Sequence, residues 1–216
     1  MLHDASRAPI AAGKGPPTGL AHRCFWAYVA AFGAAWGAVE ITLGSFLHTL
    51  RLPLSGTVLA SLGGVILVAE RQLLPARGAT LATGLVAALC KSLSPGGAIL
   101  GPMIGITVEA ALVELALFPA PTSLPGAALG GGLAAFWATG QKAISTYIVY
   151  GGDVVRLLAA AVRKSASWVK VPETGGWLAL GGLLLVPVGI GLAAGLLGWR
   201  LGRDAAEILR RERGRA

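Results

Sequence analysis

Within an otherwise apolar, Gly-rich stretch, KSLSPGGAILGPMIGITVEAALVE, one lysine and two glutamates stand at membrane depth: Lys91, Glu109 and Glu114. Each costs roughly 2.5–3.5 kcal/mol to insert, so such residues face a bundle interior or a polar pathway rather than lipid. Pro95, Gly96 and Gly97 break the chain between Lys91 and Glu109, so the stretch reads as a tight helical hairpin with its two arms side by side. Elsewhere Glu40, His48, Gln141 and Lys142 add polar heads to apolar runs, and Trp36 and Trp137 each lie four residues before one of them. Four residues is one helical turn, so each ring can serve as a stacking platform beside a polar group. This is chemistry of capture or relay. HExxH, GxSxG, GKS, GKT and CxxC are absent, so no hydrolytic or ATP-binding site is expected. Cys24 and Cys90 have no metal-ligand spacing around them, and neither a metal nor a cofactor is expected.

Glu109 and Glu114 are five residues apart, about 140° around a helix, so they cannot share one centre. The expectation is that Glu109 faces a binding pocket and Glu114 pairs with a different helix or with a partner subunit.

The elements that position these groups are membrane spans. The chain has 216 residues, 55% hydrophobic and 13% charged, with a mean hydropathy of +0.70, and several apolar runs reach the roughly 20 residues a spanning helix needs. The fold expected is an all-α membrane protein, a bundle of six transmembrane helices with an amphipathic segment between the fifth and sixth. Residues 1–22 read as a disordered tail, 23–199 as the transmembrane domain and 200–216 as a basic cytoplasmic tail. The spans run from about Cys24 to Leu47, Leu54 to Ala69, Ala76 to Leu93, Ala98 to Phe118, Ala127 to Tyr150 and Trp177 to Trp199. The second ends at the charged cluster Glu70 and Arg71. PAPTSLPG closes the fourth, and residues 153–170 suit an interfacial helix.

Six spans place both termini on one side, which collects Arg7, Lys14, Arg23, Arg71, Arg77 and the six arginines from Arg200 onward. By the positive-inside rule that side is cytoplasmic, at the inner membrane, although four basic residues of the segment after the fifth span oppose it. The net charge of +8 is thereby assigned to orientation and lipid rather than nucleic acid. Glu40, His48, Lys91, Gln141 and Lys142 then share the outer level, with Glu109 near mid-depth, as a pocket open to the outer face requires. HTLRLPLSG and SLSPGG, the latter carrying Ser92 and Ser94, would cover it. The substrate-binding set is therefore Trp36, Glu40, His48, Lys91, Ser94, Glu109, Trp137, Gln141 and Lys142.

On the first span Gly33, Trp36, Gly37, Glu40 and Gly44 fall on one face, and Ala27, Ala31, Ala34 and Ala38 on the opposite one. The alanines form a smooth surface against which another transmembrane helix can pack. With short loops, no ATPase motif, polar residues at the outer level and the AxxxA pattern at Ala27 and Ala31, the chain resembles the substrate-binding S components of energy-coupling factor transporters. The resemblance implies capture of a vitamin or metal ion under a lid between the first two spans. It further implies hand-over through a transmembrane coupling subunit and ATPases, which the alanine face would dock. The Met-His start of the metal-binding members is missing, since His3 follows Leu2. Two other readings fit the same residues: a stand-alone secondary transporter or channel relaying protons or ions through Glu40, Lys91 and Glu109, and a structural subunit whose charges only pair with one another.

Overall fold

The structure, a computed structural model, describes residues 20–50, 54–94, 100–150 and 176–215. The regular structure of those residues is helix alone, with no strand: α1 (Leu20–Thr49), α2 (Ser55–Leu73), α3 (Ala79–Ser92), α4 (Leu100–Leu117), α5 (Leu124–Tyr150) and α6 (Gly176–Arg213). The 1–19 tail and the 153–170 amphipathic segment of the sequence reading lie outside the described residues. Among the described residues four helices are long and apolar enough to cross a membrane, within α1, α2, α4 and α6, and the protein is membrane-embedded. Helix α3 is apolar but has only 14 residues, about 21 Å at 1.5 Å per residue against a hydrocarbon core of about 30 Å. Helix α5 has the length, 27 residues, and its glycines lower its hydropathy while serving its packing.

Local chemistry sets the boundaries. The amide of Gly126 donates to Ser123 Oγ at 3.2 Å, so Ser123 caps α5, and Pro125 falls in the first turn, where its missing N–H is not needed. Gly78 enters α3 at φ +81°, a left-handed conformation that a Cβ would disfavour. Leu54 enters α2 at φ +68°.

Side-chain contacts give the directions of the helices. Gly33 lies against Val86 and Gly37 against Cys90, so α1 and α3 are parallel. Gly84 meets Ala110, and Thr80 meets Glu114, so α4 runs back along α3. Gly56 is near Ala138 and Gly64 near Gly131, making α5 antiparallel to α2, whereas Gly198 on Val65 and Gly202 on Ala69 make α6 parallel to it. Directions thus alternate along the chain. Helix α2 touches all five others, and around it the neighbours run α1, α3, α4, α5, α6.

Small residues let the backbones meet. A Cβ on Gly131 would collide with the carbonyl of Gly191, and one on Gly195 with the carbonyl of Ala127. Lipid offers no hydrophobic drive between helices, so close van der Waals contact of this kind is the main attraction available to α5 and α6. The core is built from Trp36, Leu67, Val68, Ala110, Val113 and Leu117.

Several expected boundaries move. Helix α1 begins at Leu20 and continues to Thr49, so Leu20–His22 leave the expected tail, His48 leaves the loop, and Ser55 is the first, buried residue of α2. Helix α2 does not stop before the charged cluster: Glu70, Arg71 and Gln72 are buried within it. Helix α6 runs unbroken through Trp199 to Arg213, so the basic tail is the continuation of a span.

Gly131→Val should separate α5 from α6. The opposing atom is backbone and cannot swing aside, so the loss should reach the top of the roughly 1–3 kcal/mol range of overpacking. Gly189→Ala, where nothing lies within 4 Å, should be neutral. Thermal unfolding of the two variants in detergent checks the contrast.

Candidate functional site

Two polar centres sit at opposite ends of the bundle. At the end where α1 passes to α2, Lys91 in the last turn of α3 reaches across to α1. Its Nζ donates to the backbone oxygen of Glu40 at 2.7 Å and lies 3.8 Å from Glu40 Oε2. Gly44, one turn beyond Glu40, makes room for it: a Cβ there would stand 3.1 Å from Lys91 Nζ. Glu109 of α4 is 7% exposed and within electrostatic reach of Glu40. The ammonium and two carboxylates come from three helices and are all taken from water, as an intramembrane polar site requires.

Gln141 lies at this end too, but as a brace. Its Nε2 donates to the carbonyl of Gly101 at 2.6 Å, and its amide sits on Gly105, joining α5 to α4. Trp137, one turn back, is half-buried, and its Nε1 is buried without a hydrogen-bond partner. Ser94, just past α3, donates its N–H to Lys91 O at 3.0 Å. His48 and Lys142 are in α1 and α5, and their side chains lie outside the described residues.

Trp36 goes elsewhere. It is fully buried between α1, α2 and α3, with its ring on Gly63, where a Cβ would approach to 2.7 Å, and its edge near Gly84. The ring is core filling one turn from Glu40, with no face left open for stacking a ligand.

The second centre, where α2 passes to α3, was not expected as a buried site. Arg71 is fully buried and pairs with Glu114 of α4: Nη2 donates to Oε1 at 3.0 Å and Nη1 to Oε2 at 3.4 Å. Glu114 also accepts from the amide of Gly78 at 2.8 Å and from the hydroxyl of Thr80, while Arg71 Nη1 donates to the carbonyl of Ala76. Beside them Thr83 Oγ1 donates to Glu70 Oε1 at 2.6 Å. Glu70 Oε2, Arg71 Nε and Gln72 Nε2 are buried without partners. Glu114 thus pairs with another helix, as its angle from Glu109 implied. The sequence signal for its partner was that same angle together with the periodicity of α2, which carries through Glu70 and Arg71 without a breaker before Pro75.

The two faces of α1 separate as their phase demands. Gly33, Trp36, Gly37, Glu40 and Gly44 are buried, and Ala27, Ala31, Ala34 and Ala38 are exposed. No helix of the described residues covers the alanines. Among those residues no group of three or more His, Cys, Asp or Glu is placed to hold a metal ion. A cleft of about 530 Å³ opens between the ends of α2 and α6, and an apolar one of about 240 Å³ lies between Phe136 of α5 and Val188 of α6. Neither touches Glu40, Lys91 or Glu109.

Compared with protein-family models, with curated proteins and with solved structures, the chain finds no match.

Arg71→Met should destabilise the fold by about 3–5 kcal/mol, because Glu114 is left as an uncompensated buried charge. Adding Glu114→Gln should recover much of that loss. A double-mutant cycle on unfolding midpoints checks it: a coupling near zero would mean the two residues do not act as a pair.

Proposed function

We propose that the protein is a six-span substrate-capture subunit, similar to the S components of energy-coupling factor transporters. It takes up a small water-soluble nutrient at the end of the bundle that holds Glu40, Lys91 and Glu109. The supporting observation is the partition of α1. One face carries Glu40 into the buried ion pair with Lys91, and the other presents four exposed alanines. A capture subunit needs both, a polar site inside and a smooth surface for a separate coupling subunit outside, because ATP-driven hand-over requires ATPase subunits that this chain does not contain. In this reading both termini are cytoplasmic and the Glu40 end is the outer one. Lys91 holds the place of a ligand by bonding to the backbone oxygen of Glu40, so binding begins with displacement of its ammonium.

A second reading is favoured by one observation, the burial of both Glu40 and Glu109 within the bundle. Two carboxylates and an ammonium in a low-dielectric interior are also the parts of a proton or ion relay. Uptake by the protein alone in sealed proteoliposomes would support the relay and count against the capture subunit.

Ala31→Leu should abolish co-purification with a coupling subunit and leave the thermal stability of the isolated protein unchanged, since the position is exposed. Glu40→Gln should have the opposite signature, weakening capture of a co-purifying small molecule in native mass spectrometry. A drop in stability without loss of capture in Glu40→Gln would favour a purely structural ion pair.

A further inference from the structure

The 530 Å³ cleft at the α2–α6 end belongs neither to the Glu40 site nor to the ion pair of Arg71 with Glu114, and its lining is polar where the helices leave the apolar zone. Gln72, Thr122, Trp199, Arg203, Glu207 and Arg210 face it. Gly202 allows α6 to lie directly on α2, where a Cβ would come within 2.7 Å of both Ala69 O and Gln72 Cγ. The stem of Gln72 is therefore pressed against the α6 backbone, and the residue borders the cleft. That side chain is more than nine-tenths buried, and its Nε2 donors have no partner. A buried amide donor without an acceptor is costly, and turning the Gln72 side chain outward would let it reach an acceptor bound in the cleft.

The remaining groups select the sign of that acceptor. Arg203 is held over the Trp199 ring, 4.6 Å from its centroid, and the indole is itself fixed by donating from Nε1 to the Thr122 carbonyl at 2.9 Å. Glu207 is engaged by Arg211 at 2.5 Å. Arg203 and Arg210 have no carboxylate within ion-pair distance among the described residues. Arg203, Arg210 and Gln72 border one opening together with Glu207, whose single carboxylate is already bonded to Arg211, and the basic excess suits phosphate oxygens.

We propose that this cleft binds the phosphate of an anionic membrane lipid. A lipid is favoured over a soluble anion because of where the cleft lies. It opens at the level of Trp199, an aromatic residue of the kind that marks the headgroup zone, where Arg203 and Arg210 begin the basic part of α6. The acyl chains of a phospholipid seated there would run along the exposed Leu192, Leu196 and Leu197. The proposal is independent of what the Glu40 end captures.

The purified full-length protein, in neutral detergent, would be titrated with phosphatidylglycerol and separately with phosphatidylcholine, and lipid retention read by native mass spectrometry. Phosphatidylglycerol should be retained in preference. Arg203→Gln with Arg210→Gln should lower its affinity by about thirtyfold, at roughly fivefold for each basic residue near an anionic lipid, and Gln72→Leu should lower it without touching any charge. Arg211→Gln, whose guanidinium serves Glu207, should matter much less. Equal retention of the two lipids would overturn the proposal. So would an Arg211→Gln effect as large as that of the pair, which would reduce the site to the general charge of the tail. Displacement of the lipid by millimolar inorganic phosphate would overturn the lipid as occupant and assign the cleft to a soluble phosphate. Because Arg203 and Arg210 are near the surface of a long helix, their double variant should keep its unfolding midpoint, and Gln72→Leu is read against its own midpoint.

Discussion

The buried pair of Arg71 and Glu114 is the constraint on which the helix arrangement depends. A guanidinium and a carboxylate shut away from water are stable only while each satisfies the other and neighbouring dipoles meet the remaining valences. Here those dipoles are the Gly78 amide, the Thr80 hydroxyl and the Ala76 carbonyl, all supplied by the turn between α2 and α3 and the start of α3. The turn must therefore take the shape it does, with Gly78 left-handed, or Glu114 loses a donor. One ion pair thus ties α2, α3 and α4 together at a single level. The partnerless Glu70 Oε2 and Arg71 Nε are the residual cost of that arrangement.

The rest of the bundle is held by different physics. Between α5 and α6, and between α6 and α2, no charges bridge the helices among the described residues. Glycines bring backbone onto backbone, as at Gly131 with Gly191 and at Gly198 with Val65. Such contacts gain dispersion energy over many atoms and tolerate almost no added volume. Helix α1 lies outside this system: among the described residues it packs mainly on α3 and α2, through Gly33, Gly37 and Trp36. An edge helix with an uncovered small-residue face is the part of the bundle best placed to meet another protein.

How far the sequence could be read depended on whether the deciding physics was local. The helical phase of α1 is local, so the division between its Glu40 face and its alanine face followed from 100° per residue, and the angle between Glu109 and Glu114 followed likewise. The pairing of Glu40 with Lys91 required only that the first and third helices run the same way. The packing partners of Trp36 and Gln141 were not legible for one reason. An aromatic or amide one turn from a charge has the same spacing whether it lines a pocket or fills the space over a glycine, and Gly63 and Gly105 are distant in sequence. Glu70 and Arg71 were read as the end of a span because adjacent charges usually mark the water interface. Their burial depends on Glu114, more than forty residues away.

Helix α4 links the two polar centres. It carries Glu114 into one and Glu109 toward the other, and these carboxylates are about 140° apart around its axis. Glu114 is held by four donors, two of them from one guanidinium, so the rotation of α4 about its axis is fixed at that end. At the other end Gln141 grips the Gly101 carbonyl and sits on Gly105, which fixes α4 against α5. Glu109 lies between these two clamps and cannot leave the neighbourhood of Glu40 by turning its helix. Any charge added to or removed from that neighbourhood must be accommodated by side chains or by α1, an edge helix that packs on α3 and α2 among the described residues. The group there with the most freedom to adjust is the Lys91 ammonium, which ends a flexible stem. Glu40 and the exposed alanines share α1, so the polar contact and the uncovered face are two sides of one helix.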